Sequence, residues 1–165
     1  MSGLYVIFDL YGTLVDWIKS ISGFIESFIS SSAVEEFFKC DLEQTSSGVY
    51  KPYREILGDC LSRVALKYGV LVSSDIKDSF ITHFAKSPPF PDTIYGIKLL
   101  KTRGFKVGVL SNIDKDLVEI TLCGVRGMFD FIVTAEDVKA YKPRREAFIR
   151  TYKALGVTPL EVVHV

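Results

Sequence analysis

The sequence has little of what marks disulfide-rich and zinc-binding proteins. Only three of its 165 residues are cysteine and two are histidine. Cys40, Cys60 and Cys123 lie far apart, with no Cys-x-x-Cys pair. Disulfide frameworks and zinc sites both have recognisable cysteine spacings, and none is present here. We therefore expect neither, and interpret the cysteines as small apolar residues of a reducing compartment.

The chain also lacks an excess of charge and a long apolar run. Twenty lysines and arginines balance twenty acidic residues, so no general attraction to nucleic acid or to an anionic membrane is expected. No apolar run approaches the roughly 20 residues of a membrane span. The segment Met1–Gly12 has neither the basic start nor the cleavage site of a signal peptide. These absences predict a cytoplasmic protein with no nucleic-acid and no membrane partner.

Apolar residues make up 48% of the sequence, and they follow two patterns along the chain. Leu4–Leu10 is an apolar run typical of a strand buried on both faces. Helical periodicity follows, and three prolines in Ser87–Asp92 then mark a boundary. Beyond it, helices and strands alternate, which indicates a parallel sheet. We predict an α/β fold: a three-layer, doubly wound (Rossmann-like) parallel sheet formed by residues 1–15 and 91–165, with a helical cap at 16–90.

The individual elements follow from periodicity, breakers and capping residues. In the cap, helices are predicted over the periodic residues Ile18 to Phe28, over Ala33–Leu42, from about Tyr50 to Tyr68, and from the Ser73–Asp75 cap to about Ala85. In the core, helices are predicted over Thr93–Thr102, Asp114–Cys123 and Arg144–Leu155, and strands over Phe105–Leu110, Phe129–Val133 and Val162–Val165.

Polar side chains follow three of the predicted strands. Asp9 ends the first, Ser111 and Asn112 end the second, and Lys142 lies beyond the third. Ligands of open α/β sheets bind at the carboxyl ends of the strands, so these groups are expected to converge. A carboxylate nucleophile, two hydrogen-bond donors and an ammonium form a set suited to attacking an electrophile that carries an anionic group.

The stretches "FDLYGTLVD", "LSNID" and "AYKP" resemble, in order and spacing, the first three motifs of the haloacid dehalogenase (HAD) superfamily. The resemblance is greatest to the type II L-2-haloacid dehalogenases, including "YKPYREIL" in the cap and "PPFPD" at its exit. It implies that Asp9 is the nucleophile, that Thr13 supports its loop, that Ser111 and Asn112 bind the substrate's carboxylate or phosphate, and that Lys142 keeps Asp9 ionised.

Tyr11 occupies the position where most phosphatases of the superfamily have a second aspartate, the general acid. A halide leaving group needs no proton, so this difference favours dehalogenation without a metal. Two interpretations of Tyr11 stay open from the sequence: contact with the substrate, or packing under the cap.

Two departures from the dehalogenase pattern bear on function. The cap segment Gln44–Gly48 contains no arginine where the dehalogenases carry their halide-binding arginine, and Arg54 or Lys51 are the candidates to replace it. The fourth superfamily motif, which supplies Mg²⁺ ligands in phosphatases, would follow "VVHV", so the chain is expected to be a truncated member.

Three functions are therefore consistent with the sequence. The first is hydrolysis of a small 2-haloacid by Asp9 without a cofactor, and the second is a Mg²⁺-dependent phosphatase of the same superfamily. The third is a weakly active homologue that binds a small anion or a partner protein. The expected partner is a small anionic substrate, and a homodimer formed through an exposed sheet edge is also considered.

Overall fold

The computed structural model describes residues 4–165; residues 1–3 of the predicted core segment lie outside the described residues. Its centre is a parallel sheet with the strand order β3-β2-β1-β4. Val6 pairs with Val107 of one neighbouring strand and with Val163 of the other. The strands are β1 (Tyr5–Phe8), β2 (Lys106–Ser111), β3 (Phe131–Thr134) and β4 (Val162–His164).

Helices cover the sheet and also form a separate group between β1 and β2. That group, the helical insertion, comprises α1 (Trp17–Phe28), α2 (Ser32–Ser46), α3 (Tyr53–Lys67) and α4 (Ser74–Ala85). The remaining helices alternate with the strands and are α5 (Thr93–Thr102), α6 (Lys115–Thr121), α7 (Ala135–Val138) and α8 (Arg145–Leu155).

Both faces of the sheet are covered, as the continuous apolar character of its strands predicts. Ile7 and Leu110 belong to one buried cluster that includes Ala147 of α8. Val107 and Val109 point to the other face and join a cluster that includes Ile97 of α5. Because successive side chains of a strand alternate between faces, each strand needs apolar residues on both. The predicted α/β, doubly wound architecture is confirmed.

The insertion packs through aromatic side chains. Phe37 of α2 and Phe80 of α4 are fully buried, and the ring of Phe80 lies 5.3 Å from that of Phe37 and 5.0 Å from that of Phe24. The buried residues of the insertion and of one sheet face form a single cluster. The division into a core and a cap at residues 16–90 stays a prediction.

The predicted elements differ from the structure mainly at their ends. The second helix extends to Ser46 rather than Leu42, and α6 ends at Thr121 rather than Cys123. The short helix α7 was missed, although its signal is local: Thr134 accepts the N–H of Asp137, and the Asp137 carboxylate accepts the N–H of Thr134. This reciprocal capping box is a Thr-x-x-Asp pattern that the sequence displays.

The prediction that the cysteines are unpaired is wrong for two of them. Cys40 on α2 and Cys60 on α3 form a disulfide, with their Cα atoms 5.7 Å apart. Spacing along the chain gave no indication of this bond because the packing of α2 against α3 brings the two residues together. Cys123 is a free thiol and is exposed.

Helix length and hydropathy bear on the membrane prediction. Within residues 4–165, none of the helices combines the length and apolar character that crossing a bilayer requires.

Candidate active site

Asp9 lies immediately after β1, in a tight turn fixed by backbone hydrogen bonds. The N–H groups of Leu14 and Val15 both donate to the carbonyl of Leu10, and that of Gly12 donates to the carbonyl of Val15. Gly12 has a φ of +93°, a backbone conformation that glycine adopts at little cost. A Cβ there would also lie 3.3 Å from Nε1 of Trp17. The turn therefore needs glycine, and it ends the strand with the Asp9 carboxylate at the sheet edge.

The exit of the insertion supports this turn from outside. The N–H of Phe90 and the hydroxyl of Thr93 both donate to the carbonyl of Leu14, at 3.0 and 2.7 Å. Pro89 forms an isolated bridge with Val15. The proline-rich segment at the end of the insertion is thus hydrogen-bonded to the loop that carries Asp9.

Lys142 contacts Asp9 directly. Its Nζ lies 2.8 Å from Oδ1 of Asp9, and its side chain is only 18% exposed. The same Oδ1 accepts the N–H of Leu10. Since both hydrogen bonds end on Oδ1, Oδ2 is the oxygen available to a ligand.

Asn112 holds the backbone of Lys142 in place. Its amide oxygen accepts the Lys142 N–H at 2.7 Å, and its Nδ2 donates to the Lys142 carbonyl at 3.0 Å. This reciprocal pair joins the loops that follow β2 and β3. Asn112 is therefore a positioning residue for Lys142, with one Nδ2 hydrogen left for the substrate contact predicted from the sequence.

Ser111 ends β2 with a buried hydroxyl. The residue is 1% exposed, and its Oγ has no hydrogen-bond partner among the described residues. Buried hydroxyls are usually paired, so an unpaired one that lines a cavity is a natural donor to a ligand. This geometry is compatible with the substrate-binding role predicted for Ser111.

These groups share a cavity between the sheet edge and the helical insertion, with a volume of about 150 Å³. Such a volume suits a small molecule of a few heavy atoms. The sheet side contributes Asp9, Tyr11, Ser111 and Asn112, and the insertion contributes Trp17, Asp41, Thr45, Tyr53 and Phe84.

Tyr11 packs against the helical insertion and also lines the cavity, so its contact with a substrate stays a prediction. Its ring stacks on Phe84 of α4 with a centroid distance of 4.5 Å, and it lines the cavity. Its hydroxyl is hydrogen-bonded to Oγ1 of Thr121. Burial raises the pKa of Tyr11 well above its ordinary value, so the phenol stays neutral and cannot replace a carboxylic acid.

Two contacts tie the insertion to the loops of the sheet. The Asp114 carboxylate accepts the N–H groups of Tyr53 and Arg54, at 2.9 and 2.7 Å, and so caps the first turn of α3. The Tyr141 hydroxyl donates to the carbonyl of Lys51. Asp114 also directly precedes α6, but its side chain makes no capping hydrogen bond to that helix.

Asp41, on α2, is the carboxyl that the insertion contributes to the cavity. Its Oδ1 is buried without a hydrogen-bond partner among residues 4–165. Burial raises the pKa of Asp41 to about 6, an effect that the neighbouring Tyr53 hydroxyl partly offsets. The sequence analysis missed this residue, since a lone aspartate in a helix has no local signal.

Several sequence candidates lie outside the cavity. Thr13 lines a separate hollow beside α5, and its supporting role stays a prediction. Lys51 pairs with Asp59, and Arg54 pairs with Asp116. Neither of these two cations lines the cavity, so their proposed replacement of a halide-binding arginine is not supported.

A divalent cation such as Mg²⁺ needs several oxygen ligands that lie close together. Among residues 4–165, no group of three or more histidine, cysteine, aspartate or glutamate side chains is close enough to hold a metal ion. The two cavity carboxyls, Asp9 and Asp41, belong to the sheet and to the insertion respectively. The described side chains therefore do not fit Mg²⁺ as a complete set of ligands.

Comparison with known proteins places this geometry in a family. A family model described as haloacid dehalogenase-like hydrolase matches residues 6–165. A phosphoglycolate phosphatase of Aquifex aeolicus is 26% identical, over 93% of this chain and 71% of its own length. An (S)-2-haloacid dehalogenase of a Pseudomonas species is 24% identical, over 96% and 74%.

The fold agrees with the same family. The structure of an L-2-haloacid dehalogenase from Xanthobacter autotrophicus superposes with a TM-score of 0.87, covering 98% of this chain and 69% of that one, at 20% identity. That identity supports the fold alone, whereas the family model spans nearly the whole chain. The protein whose strands present Asp9, Ser111, Asn112 and Lys142 at one sheet edge thus belongs to the haloacid dehalogenase-like hydrolases.

Proposed function

We propose that the protein hydrolyses a small 2-haloacid, using Asp9 as a covalent nucleophile. The observation that carries the proposal is the pairing of Asp9 with Lys142. Two residues after Asp9, the cavity is lined by Tyr11 rather than by an acid. A halide leaves without a proton, so the reaction can proceed where the nucleophile's loop offers no carboxylic acid.

The first step is displacement at carbon 2. Oδ2 of Asp9 attacks that carbon, a carbon–oxygen bond forms, and the carbon–halogen bond breaks with its electron pair leaving on the halide. Lys142, hydrogen-bonded to Oδ1, holds the carboxylate in place and leaves Oδ2 free to attack. Ser111 Oγ and the remaining Nδ2 hydrogen of Asn112 would bind the substrate's carboxylate.

The second step is hydrolysis of the ester. Water adds to the carbonyl carbon of Asp9, the ester bond breaks, and the products are a 2-hydroxyacid and the regenerated carboxylate. The overall change consumes one water and releases one halide and one proton. Lys142, already hydrogen-bonded to Oδ1, is placed to stabilise the negative charge that develops on that oxygen.

The Mg²⁺-dependent phosphatase is the second candidate, since a relative is a phosphoglycolate phosphatase. Mg²⁺ would neutralise phosphate charge, but the described residues do not provide its ligand set. No step is therefore assigned to it. The third candidate, an anion- or protein-binding homologue, predicts binding without turnover.

The test is chloride release from L-2-chloropropionate by the wild type and by Asp9→Asn. The amide is a poor nucleophile, so we expect the variant to lose turnover by at least about a thousandfold. Asp78→Asn, which neutralises an exposed carboxylate on α4, is the matched control and should retain full activity. Chloride release that survives in Asp9→Asn would exclude the proposed nucleophile.

A parallel assay separates the two hydrolases. A phosphomonoester is supplied with and without Mg²⁺, and we expect no turnover in either condition. Phosphate release that depends on Mg²⁺, with no chloride release, would favour the phosphatase instead. Cytoplasmic location and self-association stay predictions.

A further inference from the structure

The helical insertion contributes one carboxyl group to the cavity, and the mechanism above does not use it. Asp41 lines the cavity from α2, and its Oδ1 is buried with no hydrogen-bond partner among the described residues. A buried polar oxygen without a partner is unusual in a folded protein. Because this oxygen faces the cavity, the charge of the Asp41 carboxylate acts on any ligand that binds there.

The groups around Asp41 are mostly neutral. The Tyr53 hydroxyl of α3 is its hydrogen-bonding neighbour, and Tyr141, in the loop after α7, interacts with its charge. On the sheet side, Tyr11 and Asp9 line the same cavity, and α1 contributes only Trp17. No lysine or arginine among the described lining residues faces the Asp41 carboxyl.

The resulting charge balance limits which anions the cavity accepts. Lys142 is already paired with Asp9 at 2.8 Å, so the two charges offset each other. An ionised Asp41 leaves one negative charge in a cavity of about 150 Å³. A like charge within about 4–6 Å shifts a pKa by roughly 1–3 units, and the same repulsion weakens anion binding by about tenfold or more.

We propose that Asp41 is a specificity-determining residue that selects monoanionic substrates over dianionic ones. The repulsion scales with the charge of the ligand, so a 2-halocarboxylate is penalised once and a phosphomonoester dianion twice. The identity of the preferred substrate rests on the proposed function. The charge selection itself concerns binding and can be measured without turnover.

The experiment compares two anions of similar shape, sulfate and methanesulfonate, which differ by one charge. Their binding to the full chain is measured by isothermal titration calorimetry at pH 7.5, for the wild type and Asp41→Asn. We expect sulfate affinity to rise about a hundredfold in the variant. Methanesulfonate affinity should rise only about tenfold, because the logarithm of the gain scales with ligand charge.

Glu43→Gln is the matched control. Glu43 lies on the same helix as Asp41, is exposed, and pairs with Arg63 outside the cavity. Its neutralisation should leave the affinity for both anions unchanged. An equal gain in Asp41→Asn and Glu43→Gln would overturn the proposal, because it would reflect only the net charge of the protein.

A second measurement uses the wild type itself. Since the pKa of Asp41 lies at about 6, lowering the pH from 7.5 to 5 neutralises the carboxyl and should raise sulfate affinity. Asp41→Asn serves as the reference at each pH, since it retains His164, which interacts with Lys142. The difference between the two proteins should shrink at pH 5.

The outcomes separate the two proposals. Charge selection without chloride release would retain the role of Asp41 and exclude dehalogenation. Chloride release with equal sulfate affinity in the wild type and in Asp41→Asn would do the reverse. If neither anion binds to either protein, the assignment of Asp41 is overturned as well.

Discussion

The sheet edge and the helical insertion line the same cavity by different means. At the sheet edge, Asp9, Lys142 and Asn112 are joined by short hydrogen bonds between loops that follow three strands. The insertion instead presents aromatic rings and a carboxyl oxygen, Asp41 Oδ1, that has no hydrogen-bond partner among the described residues. Polar groups that satisfy one another are held in a fixed geometry, whereas an unsatisfied group is left to interact with a ligand.

The two regions are also stabilised differently. The strands are held by backbone ladders and by apolar clusters on both faces. The insertion is four helices packed through phenylalanines and joined by the Cys40–Cys60 disulfide. This contrast suggests that substitutions at the sheet edge act on chemistry, and that substitutions in the insertion act on stability and selection.

Of the substitutions that test this comparison, Lys142→Met, which removes the ammonium beside Asp9, is expected to have the largest effect. Without it, the charge on the nucleophile and on the developing oxyanion is not offset, and kcat should fall by about 10²–10³. Chloride release checks this, and circular dichroism should show an unchanged fold. Lys142→Arg should recover part of the rate; full activity of Lys142→Met would contradict the role of the sheet edge.

The next effect concerns the insertion alone. Replacing both Cys40 and Cys60 by serine removes a bond that closes a loop with a sequence separation of 20. In the chain-entropy description this costs about 3 kcal/mol of unfolding free energy. Urea denaturation of the two proteins measures the difference. An equal loss on replacing the free Cys123 by serine would show that the bond is not responsible.

The smallest effect is a gain of stability in Asp41→Asn. The folded-state pKa of Asp41, about 6, lies above its ordinary value of 3.8. Between those values the folded state binds the extra proton, so the wild type loses stability as the pH rises from about 4 to 6. Asp41→Asn has no carboxyl at this position, so its unfolding free energy does not fall in this way as the pH rises.

Asp41→Asn should therefore be more stable than the wild type by about 1–3 kcal/mol at pH 7.5, and by little at pH 4. Denaturation curves of both proteins at the two pH values provide the comparison. A variant that is less stable at pH 7.5 would show that the carboxylate has a structural partner. If Asp41→Asn stabilises the protein, the insertion differs from the sheet edge in carrying a polar group that costs stability.

The sheet side of the site could be predicted from the sequence because its rules are local. Asp9, Ser111 and Asn112 follow apolar strands, and parallel strands bring such residues to one edge. To predict that these residues converge with Lys142 required only the order of the strands in the sheet. The same logic missed Asn112 as the residue that holds Lys142, since reciprocal side-chain bonds between loops have no sequence signal.

The insertion side could not be predicted in this way. Helical periodicity located all four helices, but it gives no information on how they pack against each other or on the sheet. The pairing of Cys40 with Cys60 and the capping of α3 by Asp114 both depend on that packing. Each joins residues that are distant in sequence.

By itself, the sequence determined the alternation of helices and strands, the glycine turn after Asp9 and the groups at the strand ends, because each depends on neighbouring residues. Only the tertiary structure decided which residues of the insertion share a cavity with the groups at the strand ends. It placed Asp41 in the same cavity as Asp9, closed a disulfide across α2 and α3, and turned Asp114 towards another helix. These features depend on how helices pack in three dimensions, and packing contacts between distant residues follow no local pattern.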